Sequence, residues 1–105
     1  MDAPRHKFHA KRDTRGNLNF DSKAEARYYD DLCLRCRPGG DVVFFLRQVP
    51  FELPGGVKYR ADFLEFRVDG TVHVIDVKGY ETPEFKAKKR IVEATYPIEI
   101  EVVKT

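Results

Sequence analysis

Three strand-like segments in a row, separated by two turn sequences, constrain the fold of this chain more than any other feature. Residues 42–53, 58–68 and 71–78 are rich in β-branched and aromatic side chains, which favour strands. The intervening Pro54-Gly55-Gly56 and Asp69-Gly70 are typical of tight turns. The pattern predicts an antiparallel three-strand meander.

A helical segment lies on each side of this meander. Ser22-Lys23-Ala24-Glu25 has the form of a capping box, and its helix is expected to end near Cys36. Thr82-Pro83-Glu84 starts a second helix, followed by a last strand at residues 98–103. Pro50 places the first strand near a sheet edge. The order α-β-β-β-α-β predicts an α/β (α+β) fold, with a mixed central sheet of about four strands and helices on both faces.

The length of 105 residues suits one domain, which we place at residues 21–105 after a flexible basic arm at residues 1–20. No long apolar run is present, so we expect no membrane span, no signal peptide and a cytoplasmic protein. Basic side chains cluster at residues 5–12 and 86–90. Such clusters on a nearly neutral chain suit a polyanion partner, and a solvated surface is the alternative for each.

Two carboxylates and one ammonium lie inside apolar strand sequences. Asp62 and Asp76 each stand between two apolar residues, and Lys78 follows Asp76 by two positions. Buried carboxylates are costly unless they are paired or bind a metal, and neighbouring ones repel. Mg²⁺ relieves both costs and favours sites that also bring a substrate phosphate. The Lys78 ammonium can then hold the attacking water or stabilise phosphoryl charge, whereas an ordinary ion pair with Asp76 is the alternative.

The loop after the second strand decides whether the two carboxylates meet. If Val68-Asp69-Gly70 is a three-residue loop with its glycine left-handed, Asp62 lies opposite Asp76 and both side chains point the same way. A two-residue Asp69-Gly70 loop places Asp62 opposite Val77, and the carboxylates diverge. We predict the three-residue loop.

Two further polar residues join the candidate site. Glu25 lies on the inward stripe of the first helix with Tyr29 and Leu32, where it can reach a metal directly or through water. The capping box alone would also explain a glutamate there. Gln48 interrupts an apolar strand without a local reason. It is a candidate for orienting a metal-bound water or contacting the scissile phosphate, and a satisfied core amide fits equally well.

The two thiols have no assigned role. Cys33 and Cys36 lack the second ligand pair that a structural zinc site needs. A zinc shared across a dimer is the alternative. We expect two reduced thiols near the end of the first helix.

In order and spacing, several segments resemble the PD-(D/E)xK nuclease superfamily, which has the restriction-endonuclease-like fold, and within it a family of small phage proteins related to Holliday-junction resolvases. The resemblance covers most of the chain and is carried by Phe20-Asp21-Ser22-Lys23-Ala24-Glu25-Ala26-Arg27, Gln48-Val49-Pro50-Phe51, Ala61-Asp62-Phe63, Asp76-Val77-Lys78-Gly79, Thr82-Pro83-Glu84-Phe85 and Tyr96-Pro97-Ile98-Glu99-Ile100.

The resemblance implies metal binding by Asp62, Asp76 and the Val77 carbonyl, with Glu25 completing the site and Lys78 assisting the hydrolytic water. Asp76 stands where the third motif usually has glutamate, and an alanine precedes Asp62 where proline is common. The superfamily pattern allows both departures, and neither identifies the substrate.

The implied activity is that of a Mg²⁺-dependent endodeoxyribonuclease, with Mn²⁺ as a substitute, acting as a homodimer on branched DNA such as a Holliday junction. A phage-encoded enzyme would work in recombination in the host-cell cytoplasm. Alternatives are a nicking endonuclease or exonuclease of phage replication, a non-catalytic DNA-binding module on the same fold, and a structural protein. We predict phosphate contacts and shape-selective binding through the basic residues Lys7, Lys11, Arg12, Arg15, Lys86, Lys88, Lys89 and Arg90.

Overall fold

A four-stranded mixed sheet and two helices form the core of the computed structural model, which describes residues 13–15 and 18–105. The first three strands of this sheet pair antiparallel in chain order, and the fourth strand pairs parallel to the third. In chain order the elements are β1 (Asp13–Arg15), β2 (Leu18–Phe20), α1 (Lys23–Arg35), β3 (Val42–Leu53), β4 (Val57–Arg67), β5 (Val72–Lys78), α2 (Pro83–Thr95) and β6 (Ile100–Lys104), with a 3₁₀ turn at Pro54–Gly56.

The predicted α+β arrangement and mixed sheet are confirmed. The strands of the central sheet lie in the order β3-β4-β5-β6, so β3 is an edge strand, as expected from Pro50. Both helix starts carry the predicted caps. The Ser22 hydroxyl accepts a hydrogen bond from the Glu25 N–H at 3.0 Å, and the Thr82 hydroxyl accepts one from the Phe85 N–H at 3.1 Å.

The two helices cover opposite faces of the sheet. Val74 belongs to a buried cluster with Phe85 and Val92 of α2. Ile75, the next residue of β5, belongs to a second cluster with Leu32 of α1. Because successive residues of a strand project to opposite faces, the two clusters lie on opposite sides of the sheet. We call the side that α2 covers the α2 face.

The predicted arm ends earlier than residue 20. β1 and β2 form a small antiparallel sheet in which Arg15 pairs with Leu18. Phe20 is buried, and its ring packs 5.1 Å from the ring of Tyr29 in α1. Hydrophobic burial therefore attaches the end of the predicted arm to the domain.

The hairpin between β4 and β5 has the predicted three-residue loop. The Arg67 N–H donates to the Thr71 carbonyl at 2.9 Å, and Phe66 pairs with Val72. Gly70 has a φ of 88°, the left-handed conformation that glycine adopts without steric cost. Among the described residues, no helix has the length and apolar composition that crossing a membrane requires.

Candidate functional site

The hairpin register brings Asp62 and Asp76 together. The last pair of the β4–β5 ladder is Phe63 with Ile75, which places the two aspartates at the next position. Leu64 packs with the cluster on the α2 face, to which Val74 also belongs, and each aspartate lies two residues from one of them on the same strand. Both aspartates line one cavity together with Phe85 and Lys88 of α2, so their carboxylates meet on the α2 face.

Asp76 is buried and only half satisfied. Its Oδ2 atom accepts a hydrogen bond from the Tyr59 hydroxyl. Its Oδ1 atom is buried without a hydrogen-bond partner, although the Lys78 ammonium lies 3.3 Å away. Burial and the adjacent carboxylate raise the pKa of Tyr59, so its hydroxyl keeps the proton that it donates. An orphaned carboxylate oxygen in a buried position is costly unless another ligand completes it.

Asp62 ends the regular pairing of β4 with β5. Its Oδ2 atom accepts a hydrogen bond from the Val77 N–H at 2.8 Å. Burial raises the pKa of Asp62 to about 7, with the charges of Asp76 and Glu25 adding to the effect against the opposing Val77 hydrogen bond. Two carboxylates in one place therefore cannot both ionise easily unless a cation joins them.

Lys78 lies between the acidic pair and helix α2. Its ammonium is 3.3 Å from Asp76 Oδ1 and 4.5 Å from the centre of the Phe85 ring. The side chain is 31% exposed, and it lines the same cavity as the two aspartates. The Asp–Lys ion pair that the sequence left as an alternative is present, and the cavity leaves room for a third group.

Gln48 occupies a strained backbone position beside Asp62. Arg47 pairs with Phe63 and Val49 pairs with Ala61, so Gln48 lies across from Asp62. Its φ of 53° is the one positive value of a non-glycine residue in the described chain. Such conformations are disfavoured for residues with a Cβ and occur often at functional sites.

Glu25 is held in place by Gln48 and Arg47. Its Oε2 atom accepts a hydrogen bond from Gln48 Nε2 at 2.9 Å and lies 3.7 Å from Arg47 Nη2. Burial raises the pKa of Glu25, and the Arg47 charge opposes that effect. The side chain of Gln48 is thus placed between Glu25 and the Asp62–Asp76 pair, and it is a satisfied amide at the same time.

The side chains of the acidic pair open into a cavity of about 430 Å³. A second cavity of about 230 Å³ adjoins it, and the two share Asp21, Gln48 and Arg60 as lining residues. Glu25 and Arg47 line only the second cavity. We call the first the acidic cavity and the second the arginine cavity. The acidic cavity is lined by Asp21, Gln48, Tyr59, Arg60, Asp62, Asp76, Lys78, Glu84, Phe85 and Lys88.

The acidic cavity suits a divalent cation held by two protein carboxylates. Within residues 13–15 and 18–105, no three His, Cys, Asp or Glu side chains converge as a metal cluster. Glu25 is engaged with Gln48 and does not join Asp62 and Asp76 in one ligand group. A two-carboxylate site fits Mg²⁺, which keeps several waters and takes further oxygens from backbone carbonyls and substrate phosphates. The orphaned Asp76 oxygen is where such an ion would be needed. Coordination by the Val77 carbonyl stays a prediction.

The predicted basic patch on α2 is split in the structure. Lys88 lines the acidic cavity, and its ammonium donates to the Lys58 carbonyl at 3.3 Å. Lys89 instead pairs with Glu93 at 3.1 Å, while Lys86 and Arg90 are exposed and line neither cavity. A helical repeat of 3.6 residues distributes consecutive lysines around the axis, so one face could not hold all four. Lys7, Lys11 and Arg12 lie outside the described residues, and of Arg15 only its place in β1 is described.

Three contributors to the site were missed from the sequence: Tyr59, Arg47 and Arg60. Tyr59 lies three residues before Asp62 but donates to Asp76 on the neighbouring strand. The Arg47 guanidinium packs over the Phe20 ring at 4.2 Å and donates to the Asn19 carbonyl at 2.9 Å. These contacts join segments far apart in sequence, which no local pattern signals.

The cysteines take no part in the site. Cys33 and Cys36 are free thiols near the end of α1, and their reduced state stays a prediction. A groove of about 690 Å³ on the α2 face, lined by Leu64, Val74 and Tyr96 among others, contains none of the candidate residues.

Comparison with known protein families yields one match, to the family described as "Protein of unknown function (DUF1064)", over residues 5–104. The chain belongs to the DUF1064 family. The match covers both helices, the whole central sheet and every residue of the two cavities. Nothing among curated proteins or among solved structures matches the chain. Membership in DUF1064 therefore defines the extent of the domain, and its function has to be inferred from the site.

Proposed function

We propose that this DUF1064 protein is a divalent-metal-dependent endonuclease with a restriction-endonuclease-like fold, which hydrolyses phosphodiester bonds in DNA. The observation that carries the proposal is the placement of Asp62, Asp76 and Lys78 in one cavity, with an orphaned oxygen on Asp76. An acidic pair with a nearby ammonium at a cavity mouth is a costly arrangement for a protein that only needs to fold.

Asp62 and Asp76 would hold Mg²⁺ or Mn²⁺, and the remaining ligands would be water, the Val77 carbonyl and a substrate phosphate oxygen. A bound cation of this kind polarises the phosphoryl group and lowers the pKa of its water. Tyr59 orients Asp76 by donating to Oδ2, which leaves Oδ1 for the cation. The Val77 N–H fixes one oxygen of Asp62 in the same way.

Lys78 is the residue that we expect to act on the phosphoryl group and the attacking water. Its ammonium lies between Asp76 and the Phe85 ring, and the side chain is 31% exposed. A positioned positive charge stabilises the negative charge that develops on phosphoryl oxygens in the transition state. Gln48 and Glu25 would act as positioning residues for Asp62, which lies across from Gln48, through their hydrogen bond at 2.9 Å.

The substrate side of the proposal rests on the cations at the cavity mouth. Lys88 and Arg60 are exposed and line the acidic cavity, as residues that contact a phosphate backbone must be. The resemblance to Holliday-junction resolvases extends the proposal to branched DNA and to a homodimer, in which two cavities would act on two strands.

Cleavage assays on two DNA substrates test the proposal. The purified protein is incubated with a four-way junction or a linear duplex, in Mg²⁺ or in EDTA, beside Asp62→Ala and the control Glu99→Ala. Glu99 is exposed in the segment between α2 and β6 and lines neither cavity, so its loss removes a carboxylate without touching the site. We expect Mg²⁺-dependent cutting by the parent and the control, and none by Asp62→Ala.

The outcomes separate the alternatives. Cutting of the junction alone supports a resolvase-like activity, whereas equal cutting of linear duplex leaves a nuclease without junction selectivity. DNA that is bound and uncut in Mg²⁺ indicates a non-catalytic binding module. Neither binding nor cutting rejects the proposed function.

A further inference from the structure

Beside the acidic cavity, the arginine cavity has no role in the hydrolysis described above. It is lined by polar and charged residues of β2, β3, β4 and the start of α1: Asn19, Asp21, Glu25, Arg47, Gln48 and Arg60. Because it shares Asp21, Gln48 and Arg60 with the acidic cavity, the two cavities adjoin, and neighbouring phosphates of one DNA strand are the groups that adjoining cavities suit.

The cations around the two cavities differ in what they already bind. Arg47 is engaged by Glu25 and the Asn19 carbonyl, Lys78 by Asp76, and Lys88 by the Lys58 carbonyl. The Arg60 side chain is exposed and, within the described part of the chain, forms no hydrogen bond, ion pair or ring contact. It is therefore the cation on the shared rim whose donors are all available to a ligand.

A second unsatisfied donor lies in the same cavity wall. Arg47 Nε is buried without a hydrogen-bond partner, although the rest of the guanidinium is fixed by its contacts with Phe20 and Asn19. Guanidinium groups present several donors in a planar fork that matches phosphate oxygens. The carboxylates of Asp21 and Glu25 line the same cavity, and Glu25 is already paired with Arg47 and Gln48. Arg47 Nε is buried, so the exposed Arg60 side chain is the group in this lining that can offer its donors to an anion.

We infer that the arginine cavity is a second phosphate subsite, in which Arg60 binds the phosphate next to the scissile one. The inference rests on the proposed nuclease function and adds a substrate requirement to it. A substrate must carry a second phosphate beside the bond that is cut, so a dinucleotide with a single internal phosphodiester lacks a group that Arg60 recognises.

Arg60→Ala tests this subsite, with Arg60→Lys as the conservative variant and Arg37→Ala as the matched control. Arg37 is also exposed and lies in the turn between α1 and β3, at the other end of the sheet. All of these positions are exposed, so folding is not at risk. Binding of a fluorescent four-way junction is measured in EDTA over a range of salt, and cleavage kinetics are measured in Mg²⁺.

We expect Arg60→Ala to weaken junction binding about tenfold and to reduce the slope of log K against log salt by about one, as the loss of one phosphate contact does. Arg60→Lys should keep most of the salt slope, and Arg37→Ala should match the parent. In Mg²⁺ the loss should fall on KM more than on kcat. A dinucleotide carrying an additional terminal phosphate should bind more tightly than one without it, and this gain should vanish in Arg60→Ala.

Three results would overturn the inference. If the parent binds and cuts DNA and Arg60→Ala behaves like Arg37→Ala, the second subsite is wrong and the nuclease proposal stands. If the parent neither binds nor cuts DNA, both proposals fail together. An equal gain from the extra phosphate in the parent and in Arg60→Ala would also assign that phosphate to another residue.

Discussion

Glu65 and Asp76 are both buried acids of the central sheet, and the protein surrounds them differently. Glu65 is 0% exposed and accepts hydrogen bonds from the Tyr28 hydroxyl and from the guanidinium groups of Arg35 and Arg67, the latter at 2.8 Å. Asp76 is 2% exposed and has a hydrogen-bond partner for one oxygen only. Two guanidinium groups contact the first acid. The other has one ammonium, that of Lys78 at 3.3 Å, and shares its cavity with a second acid.

The contrast separates an acid that serves the fold from one that serves a ligand. The Glu65 network joins α1 to β4, and all of its charge is matched inside the protein. Around Asp76 the protein leaves an oxygen unused and places Asp62, with its raised pKa, in the same cavity. Groups that cannot all be satisfied by the protein itself are characteristic of functional sites.

The largest expected effect is on catalysis. Asp76→Asn should lower the rate of Mg²⁺-dependent DNA cleavage by about 1,000-fold, equivalent to about 4 kcal/mol, because the amide cannot hold the cation. Its free energy of unfolding, measured by urea denaturation, should be equal to that of the parent or higher, since a poorly paired buried charge is removed.

The matched control for that experiment is Glu65→Gln. It removes a buried negative charge from the same sheet and should cleave DNA at the parent rate below its unfolding temperature. Equal loss of cleavage in the two variants would mean that the contrast between the two acids does not divide fold from function.

The next largest effect is on stability. Glu65→Ala should lower the free energy of unfolding by about 3 kcal/mol, because Arg35 and Arg67 are left without their shared carboxylate. Both arginine side chains are about a quarter exposed, at 23% and 24%, which lets water offset part of the cost. Urea denaturation of this variant beside Asp76→Ala gives the comparison. A larger loss in Asp76→Ala would reverse the assignment of the two acids.

A smaller effect depends on pH. Burial raises the pKa of Asp62 from 3.8 to about 7. A raised pKa in the folded state makes the contribution of Asp62 most favourable below pH 3.8, and this contribution is lost as the pH rises through about 7. In EDTA, the unfolding free energy of Asp62→Asn relative to the parent should therefore increase between pH 5 and pH 8, by on the order of 2 kcal/mol. A pH-independent difference would mean that the Asp62 carboxyl titrates normally.

The smallest effect concerns Gln48, the residue with the strained backbone, which lines the acidic cavity together with Asp76. With its φ of 53°, Gln48 suits glycine better than any residue with a Cβ. Gln48→Gly should be more stable to urea than Gln48→Ala by about 1 kcal/mol, although both lose the hydrogen bond to Glu25. Both should cleave DNA more slowly than the parent. If alanine is the more stable of the two, the backbone at this position is not strained.

The fold was accessible from the sequence where local chemistry decides the structure. Ser22 and Thr82 cap their helices as the capping patterns predict, and the left-handed Gly70 sets the hairpin register that places Asp62 opposite Asp76. The order of turns and apolar segments also predicted the mixed sheet. All of these signals act over a few residues, so they can be recognised in the sequence.

The parts that were missed depend on contacts between distant segments. Glu65 alternates with Phe63 on a buried face, so its burial could have been inferred, but its partners Tyr28 and Arg35 come from α1. The positive φ of Gln48 and the unpartnered side chain of Arg60 within the described residues have no signal in the local sequence. The basic residues of α2 were assigned to one patch because they are close in sequence. A helical repeat of 3.6 residues directs them to different sides of the helix.

Isothermal titration of the metal-free protein with Mg²⁺ tests the central claim most directly, because it needs no substrate. The parent and Glu65→Gln should show saturable binding at about one site per chain, and Asp62→Asn and Asp76→Asn should show none. At a Mg²⁺ concentration ten times the Kd, the parent should also gain about 1.4 kcal/mol in free energy of unfolding. Binding that survives in Asp76→Asn, or no binding by the parent at tens of millimolar Mg²⁺, would contradict the assignment of the acidic cavity to a cation.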